Sequence, residues 1–555
     1  MKKTLKGLSA ILMTSVLAVS ASAASVGSMT AWAADPTYTI TMTSTTGHTY
    51  AAFQIFTGDL SETTSGAPAV TTKTLSNIAW GSGVNKTNLI AALKADTTYG
   101  GAFTTALSGK TTDAETASAV ANQLAAYKEN PTAVKALADI IGKHTTGTGT
   151  ATDTTDTNKI KNLAAGYYLI KDTTTTLPTN ATNMTSDTYS DYILEVVSNV
   201  EVGAKDSTVE SHKTVTETDD TAPTVTAGQK VADYDIGDDI PYELTFKIPS
   251  NYGEYSKYYL QFVDEMSKGL TYKTGSATIK YGSNEAVAIA DADIVFTDIT
   301  TGDYNGGKKL QYTISDLKSH DLGTGDTVTI NYKAILNSNA EVNSSGNTNK
   351  YHTVFSNNPT NAGNPSTDDN PPTTSNTPDD TTVVFTYELV FNKIDDQSTP
   401  QPLKGADFKL EKNVEGTWTE VTALHNGTGA INPTKSAVDE NTTSFTFHGL
   451  DAGKYRLTEI QTPKGYNTIA PIEFTVTATK SGTAVTGLSG TGLTMTPTFD
   501  TSDAKLTAAI KNNKGVILPT TGGVGTTIFY IIGGLMISGA LVLLIVKKRM
   551  SIKEK

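Results

Sequence analysis

The feature that most constrains this chain is a series of short alternating segments in its middle. Residues 239–248, 258–263, 269–272, 277–281 and 327–336 alternate apolar and polar side chains between Gly, Asn and Asp turns. Side chains that alternate faces with period two mark strands, and strands this closely spaced predict a sandwich of two sheets. Abundant threonine supports strand over helix. With 555 residues the chain is long for one domain and comfortable for three. It contains no cysteine, so disulfides, thiol catalysis and Cys-based zinc sites are excluded. Seven scattered His without an HExxH pattern argue against a His-based metal site. A net charge of -13 argues against nucleic acid as a partner. No cofactor or metal is expected.

Both ends are apolar. Lys2, Lys3 and Lys6 precede an apolar stretch over 8–19, too short to span a bilayer comfortably, and small residues follow. This predicts a secretory signal peptide over 1–34, with cleavage after Ala31, Trp32 and Ala33, or earlier after Ala21, Ser22 and Ala23. Near the other end, residues 528–546 carry no charge and have the length of a membrane span. Lys547, Lys548 and Arg549 follow at once, which places the preceding chain outside the cell. Just before the span stand Leu518, Pro519, Thr520, Thr521 and Gly522. This string resembles the LPxTG sorting signal of Gram-positive surface proteins. The resemblance implies cutting by sortase between Thr521 and Gly522, transfer of the Thr521 carboxyl to an amine, and only transient membrane insertion.

Between the ends, residues 35–204 read as an N-terminal domain, β-rich with helical insertions. Strands are expected over 38–42, 166–170 and 192–197, and helices over 85–94 and 113–143, the latter punctuated by Pro131. Residues 205–360 read as the middle sandwich, 361–382 as a linker and connecting strand, 383–515 as a C-terminal sandwich, and 516–555 as the sorting segment. The first and last domains share a hairpin-like string around Gly166-Tyr167 and Gly453-Lys454-Tyr455.

The last domain carries Leu403-Lys404-Gly405-Ala406-Asp407-Phe408 and Tyr455-Arg456-Leu457-Thr458-Glu459, and the middle one Phe262-Val263-Asp264-Glu265-Met266 and Phe355-Ser356-Asn357-Asn358-Pro359. These strings resemble the Cna-B domains and the E-box of major, shaft-forming pilins of Gram-positive sortase-assembled pili. The fold this implies is mainly β: tandem immunoglobulin-like (Cna-B type) sandwiches in an elongated chain.

The resemblance also implies an isopeptide bond in such domains, joining a Lys on the first strand to an Asn on the last with a nearby acid promoting the reaction. A lysine buried among apolar groups is nucleophilic because its pKa falls, and a buried acid stays protonated and can polarise the carboxamide. For the C-terminal domain the candidates are Lys393, Asn512 and Glu459. Lys393 shares a strand face with Leu389 and Phe391; Asn512 shares one with Ala508 and Ile510, which sets aside Asn513. For the middle domain they are Lys213, Asp264 and Asn349, with Asn347 of the same parity as the alternative. In the first domain Asp172 falls where Glu459 falls in the last, but no Lys occurs between the expected cleavage site and Lys73, so no bond is expected there.

Polymerisation in this family joins the sorting-signal Thr, here Thr521, to a Lys of the next subunit. Lys205 occupies the expected place, without the usual Tyr-Pro before it. The implied partners are pilin-specific and housekeeping sortases, identical subunits, tip and base pilins, and peptidoglycan. The implied location is the cell surface, attached to the wall. A monomeric wall-anchored adhesin fits the same export and anchoring signals. No constellation of an enzyme active site stands out.

Overall fold

The computed structural model describes residues 37–551 apart from 44–46, 66–69, 191, 197, 220–223, 361–373, 427–428 and 517–523. The expected signal peptide, most of the linker, and Leu518 to Gly522 lie outside the described residues.

In the N-terminal part the strand Tyr38–Thr43 lies between Lys159–Leu163, antiparallel, and Val200–Gly203, parallel. A second sheet is built on a long hairpin, Tyr50–Ser65 with Val70–Trp80, extended by Gly166–Asp172 and Ile193–Val196. Four helices cover this sheet: Lys86–Ala95, Gly100–Ala106, Asp113–Ala126 and Pro131–Lys143. Their starts follow from their caps. Asn85 and Asn130 accept N–H bonds, Pro131 occupies the first helical turn, and Thr112 with Glu115 forms a reciprocal capping box. Leu89, Phe103, Val120, Leu137 and Ile141 pack with Ile55, Phe56 and Leu75 in one core.

The middle domain is a two-sheet sandwich. Among the described residues one sheet has nine strands, with Ser207–Asp219, Asp239–Lys247 and Thr327–Leu336 at its centre. The other has seven, with Leu260–Met266 paired to both Lys308–Ile314 and Asn347–Ser356. Phe246, Phe262, Tyr332, Tyr351 and Phe355 fill the space between. Strand pairing crosses the boundaries read from sequence. Thr185–Thr188, before residue 205, pairs with Ser207–Asp219. Asp380–Phe385, after residue 360, pairs with Asn347–Ser356 and, in parallel, with Val231–Asp233.

The C-terminal domain has two five-stranded sheets. Tyr387–Ile394 lies at the centre of one, antiparallel to Ser444–Leu450 and parallel to Ala504–Lys511. Asp407–Val414 and Gly453–Gln461 lead the other. Phe391, Phe408, Phe445, Phe447 and Phe474 form the core. The last described element is the helix Val524–Ser551, of which Thr527–Met550 is long and apolar enough to cross a membrane and is not buried among the described residues.

Candidate functional site

In the C-terminal domain, strand alternation turns Leu389, Phe391 and Lys393 inward, and all three are buried. The last strand runs parallel to this one with Ile510 opposite Lys393, so Asn512, two residues on, emerges beside the lysine. Asn512 is buried and Asn513 is exposed. The Lys393 ammonium contacts the Asn512 Oδ1 directly. Glu459 arrives from the opposing sheet and touches both partners. Its Oε1 lies 3.2 Å from Lys393 Nζ and accepts from Asn512 Nδ2 at 2.9 Å. Its Oε2 accepts the Ile469 N–H at 3.0 Å, which fixes the carboxyl. The Phe408 ring covers Lys393 at 5.3 Å. Burial pushes the Lys393 pKa down, against the pull of Glu459.

In the middle domain Lys213 lies mid-strand in Ser207–Asp219, on the inward face with Val209, Ser211 and Val215. Asp264 and Asn349 come from the other sheet, on neighbouring strands that pair Asp264 with Tyr351 and Met266 with Asn349. The three meet between the sheets. Lys213 Nζ contacts Asp264 Oδ2 and donates to the Tyr332 hydroxyl at 3.1 Å. That hydroxyl donates to Asp264 Oδ1 at 2.9 Å and accepts from Asn349 Nδ2 at 2.7 Å. Asn349 Oδ1 is buried and takes no hydrogen bond among the described residues. Asn347 is held elsewhere, by the backbone of Glu341 and Val384. Burial lowers the pKa of Lys213 and raises that of Asp264, which moves the pair toward neutral amine and neutral acid.

The two clusters differ in what they bridge. Lys213 and Asn349 sit on opposite sheets of their sandwich, whereas Lys393 and Asn512 belong to neighbouring strands of one sheet with the acid coming from the other. In the first domain Asp172 meets His48 at 2.8 Å instead of a lysine. Asp187 and Asp206 lie 3.6 Å from the other ring nitrogen. Burial alone would lower the His48 pKa, but Asp172 and Asp187 overcome it and raise the value to about 10. Lys73 pairs with Glu195, far along the hairpin.

Lys205 lies half-buried between the strands Val200–Gly203 and Ser207–Asp219. Its N–H donates to Ser190 Oγ at 2.8 Å and its carbonyl accepts from Asn251 Nδ2 at 3.1 Å, so the backbone is fixed at the junction of the first two domains. Thr521 lies outside the described residues.

Tyr332 and Asp380 were missing from the sequence reading. Tyr332 follows Val328 and Ile330 on an inward strand face, and its hydroxyl there was a readable signal. Asp380 accepts the Lys213 N–H at 2.7 Å and pairs with Lys230. It falls in a stretch whose composition reads as linker.

Residues 388–489 match the SpaA family, described as a prealbumin-like fold domain, and residues 510–551 match the LPXTG cell wall anchor motif. The chain is 26% identical over 238 residues to the trypsin-resistant surface T6 protein of Streptococcus pyogenes serotype M6. That match covers 42% of this chain and 40% of the relative's length. Among solved structures, the T6 backbone pilin of serotype M6 Streptococcus pyogenes aligns over 88% of this chain and all of its own, at 17% identity and a TM-score of 0.50. The major pilin SpaD of Corynebacterium diphtheriae aligns over 87% of this chain and 98% of its own, at 16% identity and a TM-score of 0.45. The chain thus carries a SpaA-type prealbumin-like domain over 388–489 and an LPXTG cell wall anchor over 510–551, and its multidomain β-fold is similar to that of the T6 backbone pilin.

Proposed function

We propose that this chain is the repeating structural subunit of a pilus, polymerised by sortase through Thr521 of one subunit and Lys205 of the next. In this reading the middle and C-terminal domains are each closed by a self-formed amide, Lys213 to Asn349 and Lys393 to Asn512. The observation that carries it is the buried contact of Lys393 with the Asn512 carboxamide under the Glu459 carboxyl. The neutral Lys393 amine attacks the Asn512 carboxamide carbon, Glu459, bonded to the carboxamide nitrogen, relays a proton from the attacking amine to that nitrogen, and ammonia departs. Asp264 plays the same part for Lys213. Each reaction happens once per molecule, so the chain is not an enzyme.

Each link closes a loop of more than a hundred residues. By analogy with a disulfide, closure of that length stabilises by about 4–5 kcal/mol. It also ties each sandwich between the points where a pulled fibre would tear it. A cysteine-free exposed fibre gains in this way what disulfides supply elsewhere. A pilin-specific sortase, a housekeeping sortase, tip and base pilins, and peptidoglycan complete the assembly.

The test is the intact mass of the exported chain. The two Lys–Asn amides together lower it by about 34 Da, about 17 Da for each ammonia lost, in addition to any loss of water elsewhere in the chain. A mass equal to that of the unlinked sequence overturns the proposal for the internal bonds.

A further inference from the structure

A third buried lysine lies where the middle and C-terminal domains meet. Lys412, on the strand Asp407–Val414, follows Phe408 and Leu410 on the inward face and has no exposed side-chain surface. Its Nζ contacts Asp235 Oδ2 of the middle domain and lies 3.3 Å from Asp451 Oδ2 of its own domain. Both carboxylates are buried. Asp235 Oδ1 accepts the Asp451 N–H at 2.9 Å, and the Asp235 N–H donates to Asp238 Oδ2 at 2.9 Å. Carboxylate oxygens of Asp235, Asp238 and Asp451 all lie within 4.8 Å of one another.

Lys412 Nζ already contacts Asp235 and lies beside Asp451, so the cluster is not read as a cation site. The surroundings are rigid. Ile236 N–H donates to the Gly449 carbonyl at 2.9 Å across the interface, and a Cβ on Gly449 would stand 2.4 Å from Ile236 Cδ1.

We propose that Lys412 and Asp235 form an amide that joins the middle domain covalently to the C-terminal domain. The geometry parallels the Lys393 cluster in two respects: the lysine touches the acyl group directly, and a second carboxyl lies just over 3 Å from Nζ. In addition, the Asp451 N–H holds the acyl oxygen. Proton transfer within the ion pair gives a neutral Lys412 amine and a protonated Asp235 carboxyl. The Nζ electron pair forms the bond to Asp235 Cγ. The Asp451 N–H stabilises the developing oxyanion on Oδ1, and Asp451 carries the amine proton to the departing hydroxyl. The Cγ–OH bond breaks and one water leaves; no oxidant or other reactant is needed. Asp238 holds the Asp235 backbone.

The test is a tryptic digest of the denatured exported chain. The amide predicts a branched peptide of residues 231–247 joined to 410–435, uncut after Lys412. Its mass lies below the sum of its parts by about 18 Da, one water. The variant Lys412→Arg keeps the cation and gives only linear peptides. The variant Asp235→Asn still gives the branch, but now from loss of ammonia rather than water. Linear 231–247 together with cleavage after Lys412 in the wild-type chain would overturn the proposal and leave an interdomain ion pair. The Lys213 and Lys393 links are read from other peptides of the same digest, so failure here is distinct from failure there.

Discussion

Lys213 and Asn349, 136 positions apart and on opposing sheets, reach the same atom: the Tyr332 hydroxyl, 3.1 Å from the lysine nitrogen and 2.7 Å from the carboxamide nitrogen. The same hydroxyl donates to Asp264. One phenol thus holds amine, acid and carboxamide together.

Tyr332→Phe removes that shared contact and leaves buried polar atoms unpaired, at a cost of about 1–3 kcal/mol. The variant is expected to close the middle domain slowly. Freshly purified protein will contain a fraction lacking one loss of about 17 Da, confined to peptides holding Lys213 and Asn349. Wild-type kinetics in this variant would remove Tyr332 from the site.

Glu459→Gln keeps the shape of the C-terminal cluster and removes its acid. Lys393 then stays unlinked and buried with a weaker partner. The domain is expected to lose about 3–5 kcal/mol, measured by denaturant unfolding, and to yield linear peptides around Lys393 and Asn512. The middle link, built on Asp264, should be unaffected.

His48 gives the first domain a pH dependence of known sign. Its folded pKa is raised from 6.5 to about 10. The stability it contributes is therefore complete below about pH 6.5 and is lost as pH rises toward 10. Asp172, Asp187 and Asp206 are the charged groups facing it. Melting of the first domain should fall over that window and flatten in His48→Gln. Equal slopes in both proteins would contradict the assignment.

Much of this was legible because strands write their faces into sequence. Parity alone separated Asn512 from Asn513, and the caps at Asn85, Thr112 and Asn130 opened helices where the sequence placed them. The strand Ser207–Asp219 was hidden, since Thr, Glu and His fill its outward positions and Ser211 and Lys213 interrupt its inward ones. The hairpin Tyr50–Ser65 with Val70–Trp80 was hidden too, because its far half is Thr- and Ser-rich and resembles a loop. Asp235, Lys412 and Asp451 are scattered in sequence and meet only through the packing of two domains, which no local pattern records.

Lys205→Arg keeps the charge at the first junction but removes the amine that accepts the acyl group in the proposed polymerisation. Cells carrying this variant are expected to display single wall-anchored subunits and no high-mass ladder on denaturing gels. A persistent ladder would move the polymerising lysine elsewhere.

The most direct test is mass spectrometry of wild-type material released from the cell wall. The account predicts a high-mass ladder and a branched tryptic peptide in which the Thr521 carboxyl is joined to Lys205 Nζ. Thr521 found only on wall cross-bridges, with no ladder, would contradict it and make the chain a monomeric surface protein.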